Sequence, residues 1–210
     1  MTARKARREK TVQRILDAAA REFAETGYEG ARVDHIADRA GINKAMIYYH
    51  IGNKEALYTR VLHEVFGDTA ARMAENIHRA ITPTEKIQAY VRSIGQTLEA
   101  HPHLPRIMMR EFASGGMHLP EIVVKDLASI IGLVRNVIQK GLSKGEFADV
   151  NPLVLHLMVI GGIGYFKASG PLRLKYSALI DASSVGRETP DDVDLAGELE
   201  KIVLNALTSR

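Results

Sequence analysis

Apolar residues near the start of the chain recur with the spacing of one face of an α-helix. They fall three, four, seven and eleven positions after the first of the set, which contains Val12, Ile15, Leu16, Ala19 and Phe23. This period places a single apolar stripe along a helix, where it can be buried against a core. A helix is therefore predicted up to Gly27, because glycine often ends helical structure.

Three further helices are predicted at short intervals. The first stops at Gly41 and has apolar residues at helical spacing, namely Val33, Ile36, Ala37 and Ala40. The second covers about residues 43–50. Asn53 has the side chain of an N-cap for a longer helix that reaches about residue 80.

The rest of the chain also reads as helices, and no convincing alternating strand is present. The predicted segments are residues 83–100, 106–113, 120–142, 152–168, 172–179 and 192–207. Asn151 before Pro152 is typical of an N-cap followed by proline in the first turn. The predicted fold class is all-α with about nine or ten helices. It would comprise a three-helix head over residues 1–55 and a larger helical body over residues 56–210.

Residues 33–50 have the spacing of a helix-turn-helix. Ala37 is small where the two helices must approach closely, and Gly41 stands where the turn needs a positive φ. Ile47 follows six residues later and would pack back on the first helix. Since each position has a packing reason, together they predict a helix-turn-helix in the head.

The second helix of this pair has an outward face suited to DNA. Ile47 and Ile51 share the inward stripe, so their neighbours point outward. Lys side chains can donate to guanine, and Ala can touch a thymine methyl. Tyr and His reach phosphates. The residues predicted to contact DNA are Asn43, Lys44, Ala45, Tyr48, Tyr49, His50 and Lys54. The alternative for residues 48–50 is a half-buried aromatic cluster that joins helices.

The distribution of charge supports this interpretation. Residues 1–54 contain eleven Lys and Arg against seven Asp and Glu, while the rest of the chain contains seventeen against eighteen. Six of those basic residues fall within residues 1–14. A basic arm before a folded unit is a common electrostatic footprint for nucleic acid. The alternative is a solvated tail that aids solubility.

Composition narrows the class of protein. Cysteine is absent, which excludes disulfides and thiolate metal sites and allows a cytoplasmic location. The sequence contains no stretch of about eighteen apolar residues, so no membrane span is predicted. The basic start MTARKARREK is followed by no apolar segment of the secretory kind. We expect a cytoplasmic protein with no metal and no cofactor.

Residues 14–58, RILDAAAREFAETGYEGARVDHIADRAGINKAMIYYHIGNKEALY, resemble the DNA-binding head of the TetR family of transcriptional regulators. The matching positions include Phe23, Gly27, Tyr28, Val33, Ile36, Ala37, Ala40, Gly41, Lys44, Tyr48, His50, Lys54, Glu55 and Leu57. Arg32 stands where the family often has Ser or Thr, and it joins the predicted DNA-binding residues. Asn43 and Ile51 also depart from the family's usual Ser and Phe.

The resemblance implies a homodimer that binds a palindromic operator in double-stranded DNA and represses nearby genes. It also implies an effector pocket in the body and a dimer interface made by about residues 151–168 and 192–207. The glycines at 161, 162 and 164 would permit close packing at that interface, or would relieve crowding within one subunit. The segment RIMMREFASGG resembles body segments of TetR-like regulators of export systems, which implies a lipophilic effector. Met side chains fill irregular cavities and tolerate varied ligands. The candidate ligand-binding residues are Met108, Met109, Phe112, Met158, Tyr165 and Phe166, for which core packing is the alternative.

Other classes of function have weaker support. His101, His103 and His118 with Glu111 are residue types that bind metals, but their spacing favours surface histidines. Arg110 and Glu111 either pair with each other or contact a ligand. A helical enzyme is a further alternative, but the sequence shows no Ser/His/Asp nucleophile motif, phosphate-binding loop or carboxylate pair at diagnostic spacing. A helical adaptor that uses the head for protein contacts remains an alternative, and salt-dependent DNA binding would separate the two.

Overall fold

The computed structural model describes residues 3–179 and 194–208, and within those ranges it contains ten α-helices with both ends described, a further helical segment at residues 177–179, and no strand. The helices are α1 (Ala3–Gly30), α2 (Val33–Ala40), α3 (Lys44–His50), α4 (Lys54–Arg79), α5 (Pro83–Ala100), α6 (Leu104–Ala113), α7 (Glu121–Ser143), α8 (Pro152–Ala168), α9 (Gly170–Lys175) and α10 (Leu195–Thr208). The all-α prediction is confirmed. The short helix predicted over 172–179 is found as α9, which ends at Lys175, followed by helical residues 177–179. Residues 192–193 of the predicted last helix lie outside the described residues.

Side-chain caps explain where several helices begin. Asn151 Oδ1 accepts from the Leu153 and Val154 amides at 2.9 and 3.3 Å, ahead of α8, as the sequence predicts. Asn53 Oδ1 accepts from the Ala56 amide at 2.8 Å, which confirms the N-cap of α4. Each such cap satisfies amide groups that have no partner inside the helix.

The basic segment at the start of the chain is helical. The arm that was expected to precede the fold is instead the first part of α1, which begins at Ala3. Its Lys, Arg and Glu residues are good helix formers, but no apolar stripe precedes Val12 to reveal the helix. Gly27 then interrupts α1 with φ 75° and ψ 175°, close to the predicted stop, and the helical assignment resumes to Gly30.

Contacts group the chain into two compact units. The first unit contains Met1–Asp68 with Arg106–Asp126, and the second contains Thr69–Pro105 with Leu127–Arg210. The domain boundary at residue 55 stays a prediction. The core of the first unit includes the whole predicted stripe of α1, together with Ile36, Ile47, Leu57 and Leu62.

The second unit is built around α5, α8 and α10. Its buried side chains include Ile87, Tyr90, Val91, Val134, Ile138, Val159, Ile163, Val203 and Leu207. A Cβ on Gly162 would lie 3.2 Å from Leu199, so this glycine relieves crowding between α8 and α10 within the subunit. A Cβ on Gly161 would meet nothing within 4 Å. None of the helices in the described part of the chain is long and apolar enough to cross a membrane.

Candidate nucleic-acid interface

The turn between α2 and α3 is closed by a glycine and an arginine. Gly41 has φ 61° and ψ 43°, the left-handed conformation predicted from its position, and its amide donates to Asp38 O at 3.0 Å. The Arg14 guanidinium donates to Ala40 O and, at 3.4 Å, to Gly41 O. A Cβ on Gly41 would lie only 2.9 Å from Arg14 Nη2. The backbone conformation therefore favours glycine, and a Cβ would also require the end of the Arg14 side chain to shift.

Helix α3 has one buried side and one exposed side. Asn43 caps it, with Oδ1 accepting from the Ala45 amide at 2.8 Å. Ile47 is fully buried, which confirms its predicted role as the anchor of α3. Ala45, Tyr48 and Tyr49 are exposed, and Tyr49 keeps 74% of its surface accessible. These three side chains are therefore available to a partner.

His50 differs from its two tyrosine neighbours. It is half-buried, and its ring lies edge-on to Tyr49 with 4.9 Å between ring centroids. Its Nδ1 atom is buried with no hydrogen-bond partner. The expected outward trio thus divides into two exposed tyrosines and one half-buried histidine.

Two of the predicted cations form a charged cluster with an acid. Lys44 Nζ lies 2.7 Å from Asp34 Oδ1, and both side chains are about half exposed. The hydrogen bond to Lys44 lowers the pKa of Asp34, and Asp34 in turn raises the pKa of Lys44. Arg32, exposed at the N-cap position of α2, also acts on both groups through its charge.

Lys54 points toward the backbone of the first unit. Its Nζ donates to Tyr28 O at 3.0 Å and to Glu29 O at 3.4 Å, and it lies 4.7 Å from the centroid of the Tyr28 ring. The ammonium therefore serves the carbonyl groups at the end of α1. A positive charge is favourable there because the last carbonyls of a helix carry partial negative charge.

Salt bridges fasten α2 to α1. Arg39 Nε lies 3.2 Å from Glu22, which is buried, and the same guanidinium hydrogen-bonds Glu25. Hydrogen bonds from Arg39 and Arg21 lower the pKa of Glu25 to about 2. The first helix of the helix-turn-helix is thus fixed by charge as well as by apolar packing.

Residues 106–126 contribute a hydrogen-bonded cluster to the same unit. Arg110 and Glu111 do not pair with each other: Arg110 donates to Ala24 O and Glu25 O, at 3.3 and 2.9 Å. Buried Glu111 accepts from the Tyr58 hydroxyl at 2.7 Å, and burial and this bond raise the pKa of Tyr58.

His118 completes this cluster. Its Nε2 lies 2.8 Å from Glu29, and its ring stacks on Tyr28 with 4.5 Å between centroids. His118 is thus half-buried, which corrects its interpretation as a surface residue. No group of His, Asp and Glu able to hold a metal lies among residues 3–179 and 194–208.

The six candidate ligand-binding residues are divided between the two units. In the first unit, Met108 is buried, Met109 is half-buried and Phe112 is exposed. In the second unit, Met158 and Tyr165 are exposed on α8. Of the three candidates in this unit, only Phe166 lines a cavity of the second unit.

A cavity of about 450 Å³ lies in the second unit. Its apolar walls include Leu98, Ile163, Phe166 and Leu195, and its charged residues are Glu99, Lys167, Arg173 and Asp194. The Arg173 guanidinium lies 3.7 Å above the centroid of the Phe166 ring. A volume of this size falls in the range of small-molecule sites, about 300–1,000 Å³.

The sequence interpretation missed three residues at this interface. Asp34, Arg14 and Arg39 act through contacts made by packing α1, α2 and α3 together. Their positions are distant along the chain from their partners, so no local pattern reveals them. The one indication in the sequence is that Asp34, an acid, lies ten residues before the basic Lys44 of α3.

A helix-turn-helix anchored by Ile47, with Tyr48 and Tyr49 exposed on α3, is typical of DNA-binding proteins. Residues 15–61 match the family described as bacterial regulatory proteins, tetR family, and residues 83–181 match the tetracyclin repressor-like C-terminal domain. An HTH-type transcriptional repressor of Streptomyces coelicolor is 37% identical over 147 residues, 69% of this chain and 71% of that protein. The chain belongs to the TetR family and is a DNA-binding transcriptional regulator.

Two further similarities agree with this assignment. The HTH-type transcriptional repressor NicS of Pseudomonas putida is 27% identical over 177 residues, 82% of each chain. The crystal structure of FadR from Bacillus subtilis in complex with stearoyl-CoA has a TM-score of 0.67 at 23% identity. It covers 94% of this chain and 97% of that one, and at this identity it establishes the shared fold.

Proposed function

We propose that the protein is a cytoplasmic homodimeric repressor that binds a palindromic operator through α3 and is released by a lipophilic effector. The observation that carries the DNA-binding surface is α3 itself, which buries Ile47 and exposes Tyr48 and Tyr49 beside Lys44. In a dimer, two such helices would enter major grooves about 34–36 Å apart. Arg32, Asn43, Ala45, His50 and Lys54 complete or support this surface in the proposal.

The DNA-binding surface is tested with an operator selected from a pool of random duplexes. Tyr49→Ala should weaken binding to that duplex, because it removes the most exposed side chain of α3, which is proposed to contact a phosphate. Tyr176→Ala, at an exposed tyrosine after α9, is the matched control. Equal affinities for Tyr49→Ala and the control, or no preference of the wild type for any sequence, would refute this surface.

The dimer interface is proposed along α8. Its exposed apolar side chains form one stripe, namely Leu153, Val154, Leu157, Met158 and Tyr165. A second copy of this chain is the proposed occupant, because an apolar helix face of this length is otherwise left to water. The open space beside Gly161 lies on the same stripe. Met158 and Tyr165 would then face the partner subunit rather than an effector.

The effector site is proposed in the cavity lined by Phe166. Leu98, Ile163 and Phe166 form an apolar part of its lining that suits a lipophilic group, and Lys167 and Arg173 add positive charge to the same lining. Stearoyl-CoA is a suitable first probe, because FadR of Bacillus subtilis binds it. Its addition should release the selected operator in a gel-shift titration, whereas coenzyme A without the acyl chain should not. Retention of the operator at saturating stearoyl-CoA would exclude long acyl-CoA as the effector.

A further inference from the structure

The ion pair between Asp34 and Lys44 lies on the surface proposed to meet DNA. Lys44 is the first residue of α3, and Asp34 is in the first turn of α2. Their charged atoms are 2.7 Å apart and both side chains remain accessible to solvent. DNA phosphates repel a carboxylate, so an acid at this place opposes binding rather than promoting it. Its presence therefore calls for a role other than phosphate contact.

Folding stability does not supply that role. Exposed ion pairs contribute little to stability, because solvent screens the charges and the side chains lose freedom. The helix-turn-helix is already held by buried Ile36 and Ile47 and by the bonds from Arg14 to the turn. The ion pair therefore acts electrostatically: it changes which groups on DNA the Lys44 ammonium can bind.

The ion pair affects the binding of Lys44 to base acceptors and to phosphates differently. An ammonium has three N–H donors, so Lys44 can keep its bond to Asp34 and still donate to guanine O6 or N7. Those base acceptors are uncharged, and the nearby carboxylate does not strongly repel them. A phosphate is anionic, and it meets a lysine whose charge Asp34 has largely neutralised. Asp34 also fixes the direction in which Lys44 points.

We propose that Asp34 is a specificity-determining residue that reserves Lys44 for base contact and lowers affinity for DNA of arbitrary sequence. The proposal rests on the DNA-binding function proposed above and adds a residue outside the recognition helix. With Lys44 paired to Asp34, α3 attracts the phosphates of any DNA sequence less strongly. At the operator, Lys44 still makes its base contact. The ratio of operator affinity to non-specific affinity rises as a result.

The test uses the full-length protein, the selected operator duplex and a scrambled duplex of the same length and composition. Asp34→Asn is isosteric and removes the charge, so Lys44 becomes free to bind phosphate. Binding to the scrambled duplex should strengthen about fivefold near 0.1 M salt, and its salt dependence should steepen by roughly one phosphate contact. Operator affinity should change less, so the ratio of the two affinities falls.

Asp38→Asn is the matched control. Asp38 is exposed one turn further along α2, and its substitution makes the same change in net charge without touching the Lys44 pair. Asp34→Ala should reproduce the loss of specificity seen with Asp34→Asn, and circular dichroism should show that each variant is folded. In a Lys44→Ala background, Asp34→Asn should no longer alter the ratio.

The outcomes separate this inference from the proposed function. Wild-type protein with no preference for any duplex would overturn both. A clear wild-type preference with an unchanged ratio in Asp34→Asn would overturn only the role of Asp34. The same holds if Asp38→Asn lowers the ratio equally, because the effect would then be one of general charge.

Discussion

The Lys54 ammonium lies against backbone carbonyls at the end of α1, within hydrogen-bond distance of Tyr28 O and Glu29 O. Lys54→Met keeps most of the side-chain stem and removes these bonds. Since hydrogen bonds to a charged group are worth about 1.5–3 kcal/mol, the variant should lose about 2 kcal/mol of unfolding free energy. Urea denaturation measures this loss, with Lys140→Met at an exposed site on α7 as the control. Equal stability of the two variants would show that the bonds to α1 are dispensable.

A buried histidine makes the stability of the second unit depend on pH. His156 is 3% exposed, and its Nδ1 lies 2.9 Å from the buried Tyr90 hydroxyl. Burial lowers the pKa of His156 from 6.5 to about 4. As pH falls, the unfolded chain therefore takes up this proton first. The stability contribution is complete above pH 6.5 and is lost progressively between pH 6.5 and about 4.

The expected loss is about 2 kcal/mol between pH 7.5 and 5. Urea unfolding of wild type and His156→Gln at both pH values measures it, because glutamine does not titrate. The wild type should lose about that much more stability than the variant over this interval. Parallel pH dependence in the two proteins would mean that His156 is already protonated in the folded state, or that it is hydrated there.

At the scale of elements, two features of the turn between α2 and α3 disfavour a side chain at position 41. The positive φ of Gly41 strains any other residue by about 1–2 kcal/mol, and a Cβ would also crowd Arg14 Nη2 at 2.9 Å. Gly145 has a similar φ of 69° but open space around it. Gly41→Ala and Gly145→Ala should therefore both lower the thermal midpoint, and only Gly41→Ala should also weaken operator binding. Loss of binding in both variants would point to general destabilisation.

The elements also show what could be predicted from sequence. The stripe of α1 and the caps Asn53 and Asn151 are local patterns, so they were predicted and are confirmed. The helical start of α1 is not predicted because its only apolar residues before Val12 are two alanines, which do not mark a face. The direction of Lys54 was also not predictable, since its carbonyl partners lie more than twenty residues earlier and meet it only after the helices pack.

At the scale of the whole molecule, the proposed dimer would couple the α3 helices of two subunits on one operator. Leu157 lies near the centre of the exposed stripe of α8 and keeps 54% of its surface accessible in the single chain. In the proposed dimer, Leu157→Glu would bury a charge without a partner, which strongly disfavours association. Sedimentation velocity at micromolar concentration should show a dimer for the wild type and a monomer for this variant.

DNA binding should fail together with dimerisation. A monomer binds one half-site at a time and loses the effective concentration that links the two heads, so operator affinity should fall about a hundredfold or more. Ile122→Glu, at an exposed apolar site in the first turn of α7, is the control and should leave the dimer intact. If Leu157→Glu remains dimeric and binds the operator as wild type does, the α8 stripe is not the interface. If it becomes monomeric with unchanged affinity, a single head suffices for recognition.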